Sequence, residues 1–331
     1  MCVCEGALLS LIVLFLPLTA PHVVHRFSDV LECEQFFLYK RPPEISGILV
    51  GGNVQDQNRY KVICQFFRNK YRFATLYDTI KRIPVFSAYK FIGKKEPPTT
   101  TTRDYLEPQL EELQKEMTLF LRKHCEKQAT AHDYKNSKEK ENLTKGHLFP
   151  KQHSSDHETQ NSTMTLTNIV PQNANFNAGP WSQMEQNVTT LMNTHCNGSN
   201  GNTEAYVVTG AVPGNQTLAH RVNIPALMWT AFRCKTNDGE WMSMAHWGEN
   251  ANTTEKMETK TVTELERKLK ESYNADMVKI FPQQCENGHL SSMEKLYYHS
   301  HMFHGDRFKE RLKKRVMHHQ RKRLRILHSD K

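Results

Sequence analysis

Hydrophobic residues fall along this chain in short, separated clusters whose character changes from one stretch to the next. Residues 46–52 (SGILVGG) form a brief apolar run bounded by glycines. Residues 71–91 (YRFATLYDTIKRIPVFSAYKF) are aromatic and β-branched and predict two strands joined around Asp78 and Thr79, a hairpin. After the linker-like PPTTTT at 97–102, Pro108 opens a predicted helix in which Leu110, Leu113, Met117 and Phe120 share one face. Residues 129–162 are polar and rich in His, Lys and Asn. MTLTNIVPQ at 164–172 starts as a strand and breaks at Pro171. Residues 174–192 predict a loop that enters a helix at Pro180, with Trp181, Met184, Val188 and Leu191 on one side. YVVTG at 206–210, IPALMWTAFRC at 224–234 and the stretch 241–247 predict strands, and 261–273 predicts a charged helix. Strands and helices do not alternate in a βαβ rhythm, so an α+β fold, mainly antiparallel, is expected.

The first twenty residues stand apart. From Ala7 to Leu18 the chain is apolar except at Ser10 and Pro17, which predicts a secretory signal, assigned to residues 1–22 with the cut between Ala20 and Arg26. The run is too short for a membrane-spanning helix, and no other stretch approaches the length needed. A chain in that compartment is secreted or luminal, where cysteines oxidise. Cys2 and Cys4 leave with the signal; Cys33, Cys64, Cys125, Cys196, Cys234 and Cys285 remain as disulfide candidates, with fifteen pairings open. Sequons at Asn142, Asn161, Asn187, Asn197, Asn215 and Asn252 agree with this reading and mark glycosylation candidates.

The 331-residue chain carries a formal charge of +9, unevenly placed. Between Arg307 and Arg325 lie ten of the 44 basic residues and one of the 35 acidic ones, so the rest is balanced. Residues 291–331 therefore form a His-rich, basic tail suited to nucleic acid phosphates, glycosaminoglycan or an anionic surface. His299, His301 and His304 lack a second ligand cluster and are read as solvated rather than as a zinc site.

One stretch sets a chemical question. NLTKGHLFPKQHSSD at 142–156 places Lys145-Gly146-His147 and Leu148-Phe149-Pro150 inside an otherwise polar run. Downstream follow Thr167-Asn168-Ile169-Val170-Pro171-Gln172, then Asn177, Gly179, Trp181 and Glu185. This constellation, with CEQFF at 33–37, ATLYDTIKRIPVFSAY at 74–89 and DYKNS at 133–137, resembles the DNA/RNA non-specific endonuclease family across residues 33–273.

The resemblance implies a ββα-metal fold over residues 27–290, in which a β-hairpin carries a general base and the next helix carries a metal ligand. By position, His147 is the expected base, a role suited to an imidazole titrating near neutrality. Asn177 is the expected ligand of one hydrated Mg²⁺, or Mn²⁺, ion. Glu185 is expected to hold the metal's waters, and Asn168 to orient water and phosphate. DNA and RNA are the implied substrates, since both share the backbone such a site attacks. The family's Asp-Arg-Gly-His is here Thr144-Lys145-Gly146-His147. Lys145 keeps a charge near the phosphate without the planar fork of arginine, and a reduced rate is expected. The alternative is a catalytically silent fold that binds polyanions through its basic end.

Overall fold

The computed structural model describes residues 20–282 apart from 94, 98, 101, 102, 120–124, 199 and 200. Its frame is a seven-stranded sheet in which every neighbouring pair is antiparallel. In spatial order the strands are β1 (Val23–Val24), β5 (Tyr60–Phe66), β6 (Tyr71–Asp78), β7 (Ile83–Phe91), β10 (Ala205–Leu218), β11 (Val222–Lys235) and β12 (Trp241–Glu249). Two smaller sheets accompany it. One pairs β13 (Val278–Lys279), β2 (Glu44–Ile45), β3 (Leu49–Val50) and β4 (Asn53–Val54); the other is the hairpin of β8 (Leu143–His147) and β9 (Ile169–Asn173). The architecture is α+β and mainly antiparallel, as expected.

Side chains alternate across the large sheet and feed two cores. Phe73, Tyr89, Phe91, Val207, Met228 and Phe232 face one side, where Phe149, Trp181, Met184 and Val188 close on them. Leu76, Phe86, Ala88, Val208, Trp229 and Ala245 face the other, against Phe27, Phe37, Leu265 and Leu269. The Val262–Tyr273 helix starts with a reciprocal cap: Thr261 Oγ1 accepts from Glu264 N at 3.1 Å, and Glu264 Oε2 accepts from Thr261 N at 2.8 Å.

Several expectations change in three dimensions. The predicted hairpin at 71–91 is β6 and β7, and the apolar run at 46–52 supplies β3 between two turns of the small sheet. The helix expected from Pro108 is a single 3-10 turn, Pro108–Glu111, because Glu112 goes left-handed at φ 64. Glu111 turns inward to accept from the backbone amides of Glu126 and Lys127 at 3.2 and 3.0 Å, which ties the segment down as a loop. Phe120 lies outside the described residues.

The fold also begins before residue 27. His22 is fully buried, stacked on Phe66 and 3.2 Å from both Glu107 oxygens, while Val23 and Val24 pair with Ile63 and Val62. Residues 22–24, placed by the sequence in the signal or at its cut, belong to the fold, Val23–Val24 as the edge strand β1 and His22 as the buried residue before it.

Of the six cysteines, Cys33 pairs with Cys64 and Cys196 with Cys234. The first bridge fastens the N-terminal turns to β5; the second joins the end of the Ser182–His195 helix to β11. Cys125 is buried as a free thiol among the described residues, and Cys285 and the whole 291–331 tail lie outside them.

Candidate active site

The hairpin β8–β9 packs on the first core and pairs Thr144 with Gln172, Lys145 with Pro171 and His147 with Ile169. Gly146 is dictated by its neighbour: a Cβ there would lie 2.2 Å from Gln172 Oε1 and 2.7 Å from its Cβ. Residues 145 and 147 share one face of the strand, since side chains alternate. Asn250 holds the hairpin to the sheet, donating through Nδ2 to Pro171 O and Pro225 O at 3.0 Å each and accepting from Asn173 N at 2.8 Å.

After β9 the chain turns at once into helix. Asn173 Oδ1 caps it by accepting from Asn175 N and Phe176 N, then Ala174–Phe176, the π-helical turn Asn177–Trp181 and Ser182–His195 follow in succession. The helix thus starts before Pro180 rather than at it. A strand pair followed by this helix is the ββα arrangement.

Asn177 is the first residue of the π turn and faces β8. Its Nδ2 donates to Thr144 Oγ1 at 3.0 Å and to Lys145 O at 3.4 Å. Thr144 Oγ1 itself donates to Gln172 O at 3.2 Å, so it has only a lone pair to offer the amide. Both partners being acceptors, the amide orientation is fixed, and Oδ1 is the atom left for a ligand.

His147 is partly exposed by area yet closely walled by protein, with Nε2 3.3 Å from Met164 Sδ. Burial first, then the nearby charges of Lys151 and Lys145, push its pKa down to about 4. The ring is therefore neutral at neutral pH, the form able to accept a proton.

Glu185 is held by two neutral donors, Trp181 Nε1 to Oε1 at 2.9 Å and Gln152 Nε2 to Oε2 at 2.7 Å. Its surroundings exclude enough water to push its pKa up to about 8 despite both bonds. None of its hydrogen bonds reaches His147 or Asn177. Beneath it, His153 bridges the helix and the sheet, with Nδ1 2.7 Å from Tyr89 Oη and Nε2 3.2 Å from Glu185 O.

Asn168 is not at the rim. It is fully buried, its Oδ1 accepting from Ser87 Oγ and Phe149 N at 2.9 Å each and its Nδ2 donating to Phe149 O and Thr163 O at 3.0 Å each. No valence remains for water or phosphate, so the residue fixes the return of the chain into β9. Lys145 also differs from expectation: its Nζ lies 2.6 and 2.8 Å from the two carboxylate oxygens of Asp104. Asp104 and Asn250 were invisible as site residues in the sequence because each acts through a contact distant along the chain. Lys151, Gln152 and His153, a few residues past the Gly-His motif, carried only a positional hint.

A hydrated Mg²⁺ needs few protein oxygens, and the oriented Oδ1 of Asn177 fits that demand. Among the described residues no group of three His, Cys, Asp or Glu side chains comes together to form a protein-only metal cage.

The family model for DNA/RNA non-specific endonucleases matches residues 51–282. The chain belongs to the DNA/RNA non-specific endonuclease family. Among curated proteins it is similar to the human Endonuclease domain-containing 1 protein, 29% identical over 219 residues, and to the mouse protein of that name, 31% identical over 223 residues. Each match covers 63% of this chain but 40% of the relative's own length. Among solved structures, a chain of the EndoG/EndoGI complex superposes with a TM-score of 0.47 at 15% identity, covering 63% of this chain and 84% of that one.

Proposed function

We propose that this protein is a metal-dependent endonuclease that hydrolyses phosphodiester bonds of DNA and RNA with little sequence preference. The observation that carries the reading is the Asn177 amide, turned by two acceptors of β8 so that Oδ1 is presented beside the strand that ends in His147. His147, uncharged at neutral pH, takes the proton of the attacking water. Magnesium or manganese, when bound at Asn177, supplies Lewis-acid stabilisation of the oxygen that leaves phosphorus. Glu185, fixed by Trp181 and Gln152, would in its ionised form accept hydrogen bonds from the waters of a metal held at Asn177. Secretion or entry into a lumen is supported by the two disulfides. The exposed Asn187, Asn215 and Asn252 are the glycan sites this reading favours, whereas Asn161 has a buried Oδ1 and its sequon partner Thr163 is fully buried.

Supercoiled plasmid incubated with purified protein and Mg²⁺ is expected to be nicked and linearised, and EDTA is expected to stop it. His147→Ala and Asn177→Ala should each lower the rate by about a hundredfold or more. Nicking at the parental rate by either variant would falsify the assignment.

One observation favours a second reading, a silent nuclease fold that binds polyanions. The motif lysine is already engaged by Asp104. On that reading the wild-type protein leaves plasmid intact at every metal concentration while still being retained on heparin.

A further inference from the structure

Asp104 stands forty-one positions from Lys145 in the chain, yet its carboxylate grips the lysine with both oxygens. The carboxylate is anchored rather than draped. Its neighbour Tyr105 forms a parallel bridge with Thr165, donating to Met164 O at 3.1 Å and accepting from Leu166 N at 2.8 Å. The Tyr105 ring packs edge-on against Phe67 at 5.0 Å. Met164, on that same segment, touches His147. Lys145 Nζ lies 5.7 Å from the centroid of the Tyr134 ring, so an aromatic face and a carboxylate together define where the ammonium sits. The lysine side chain is 31% exposed and the aspartate 14%, so the pair lies at the surface with its acidic half the deeper.

We propose that Asp104 sets the charge of the site by neutralising Lys145, so that the motif cation gives the polynucleotide no net attraction while the pair is intact. The proposal rests on the polynucleotide reading above and concerns binding, so it stands or falls separately from catalysis. Lysine is a point charge with no rigid fork, and a phosphate can claim it only by displacing a carboxylate that the β-bridge keeps in place. Asp104 is a positioning and charge-balancing residue; it does not touch the reacting atoms.

The test is the affinity of the full-length protein for a fluorescein-labelled DNA duplex, measured by anisotropy in EDTA over a salt series. The Lys145–Asp104 pair sums to zero in the wild type, to +1 in Asp104→Asn, to −1 in Lys145→Met and to zero again in the double variant. Asp104→Asn is expected to bind about three- to tenfold tighter at low salt, with the slope of log affinity against log salt steeper by about 0.9, the signature of one more phosphate contact. Lys145→Met should bind more weakly, and the double variant should return to wild-type affinity. A merely structural role for Asp104 would leave that slope unmoved. The proposal is overturned if Asp104→Asn binds no tighter, or if the double variant stays as weak as Lys145→Met. Should Asp104→Asn not fold, rescue of Lys145→Met by the double variant decides alone. A protein that shows this charge order but cuts no plasmid supports the proposal and sinks only the catalytic reading.

Discussion

Two adjacent rows of the large sheet, one residue apart in register, have opposite chemistry. On the face toward the hairpin, Thr75, Ser87, Thr209, Thr230 and His246 stand side by side across β6, β7, β10, β11 and β12. On the opposite face the neighbouring row is Ala74, Ala88, Val208, Ala231 and Ala245. The apolar row does nothing but pack under Leu265, Leu269 and the N-terminal turns. The polar row is a network. Thr75 Oγ1 lies 3.0 Å from Ser87 Oγ, Thr209 Oγ1 lies 2.8 Å from Thr230 Oγ1, and Gln65 Nε2 donates to Thr167 Oγ1 at 2.8 Å. Ser87 passes the network to Asn168, which grips both ends of the excursion between β8 and β9.

The difference teaches why one face of a sheet is costly to build. Buried hydroxyls and amides add little net stability when satisfied, but each has a required direction, and direction is what a hairpin carrying His147 and Lys145 needs. An apolar row could hold the hairpin down; it could not fix its register.

The sharpest way to break this contrast is Asn168→Ala. It strands Phe149 N, Phe149 O and Thr163 O in a dry core and leaves the Ser87 hydroxyl only Thr75, and about 3–4 kcal/mol of unfolding free energy should be lost. Denaturant melts measure this, and a loss below about 1 kcal/mol would show that the network is dispensable. On the other face, Ala231→Leu overpacks a residue that is 1% exposed and should cost about 1–3 kcal/mol. Here activity per folded molecule should be unchanged, because nothing on that face orients the site.

The smallest effect is a pH slope. The folded pKa of His147 lies near 4, below the usual histidine value, so the unfolded chain takes up a proton that the folded chain refuses. Its contribution is present above pH ~6.5 and is lost as the pH falls toward 4. Glu185 has the opposite sign: raised to about 8, it contributes stability below the ordinary carboxylate range that fades as the pH rises through 8. Replacing His147 with Asn should flatten stability between pH 6.5 and 4 by about one proton's worth of slope, and Glu185→Gln should remove the decline toward pH 8. Unchanged pH profiles in both variants would show that the protein around these groups is wetter than their packing indicates.

Part of the candidate site's local geometry was legible in the chain. Gly146 and His147 stand next to each other on one strand, and Asn177 and Glu185 lie eight residues apart on one continuous helical run, so the order of these residues is local, although the π turn at Asn177–Trp181 breaks the regular spacing between the last two. The hairpin at 71–91 was legible for the same reason, its aromatic and β-branched residues being close in sequence. The short helix-like period after Pro108 misled because its apolar residues serve a loop that Glu111 anchors. Asn168 misled because an amide beside a motif looks the same in sequence whether it faces solvent or a core.

What the sequence determined by itself is the set of local facts: a hairpin, a charged helix, and a histidine that follows a glycine. What tertiary structure alone decided is who meets whom across long loops. Asp104 on Lys145, Gln152 on Glu185, Thr144 on Asn177 and His22 beneath the sheet are contacts between segments that share no pattern, because a hydrogen bond or ion pair depends on separation in space and leaves no period in the chain.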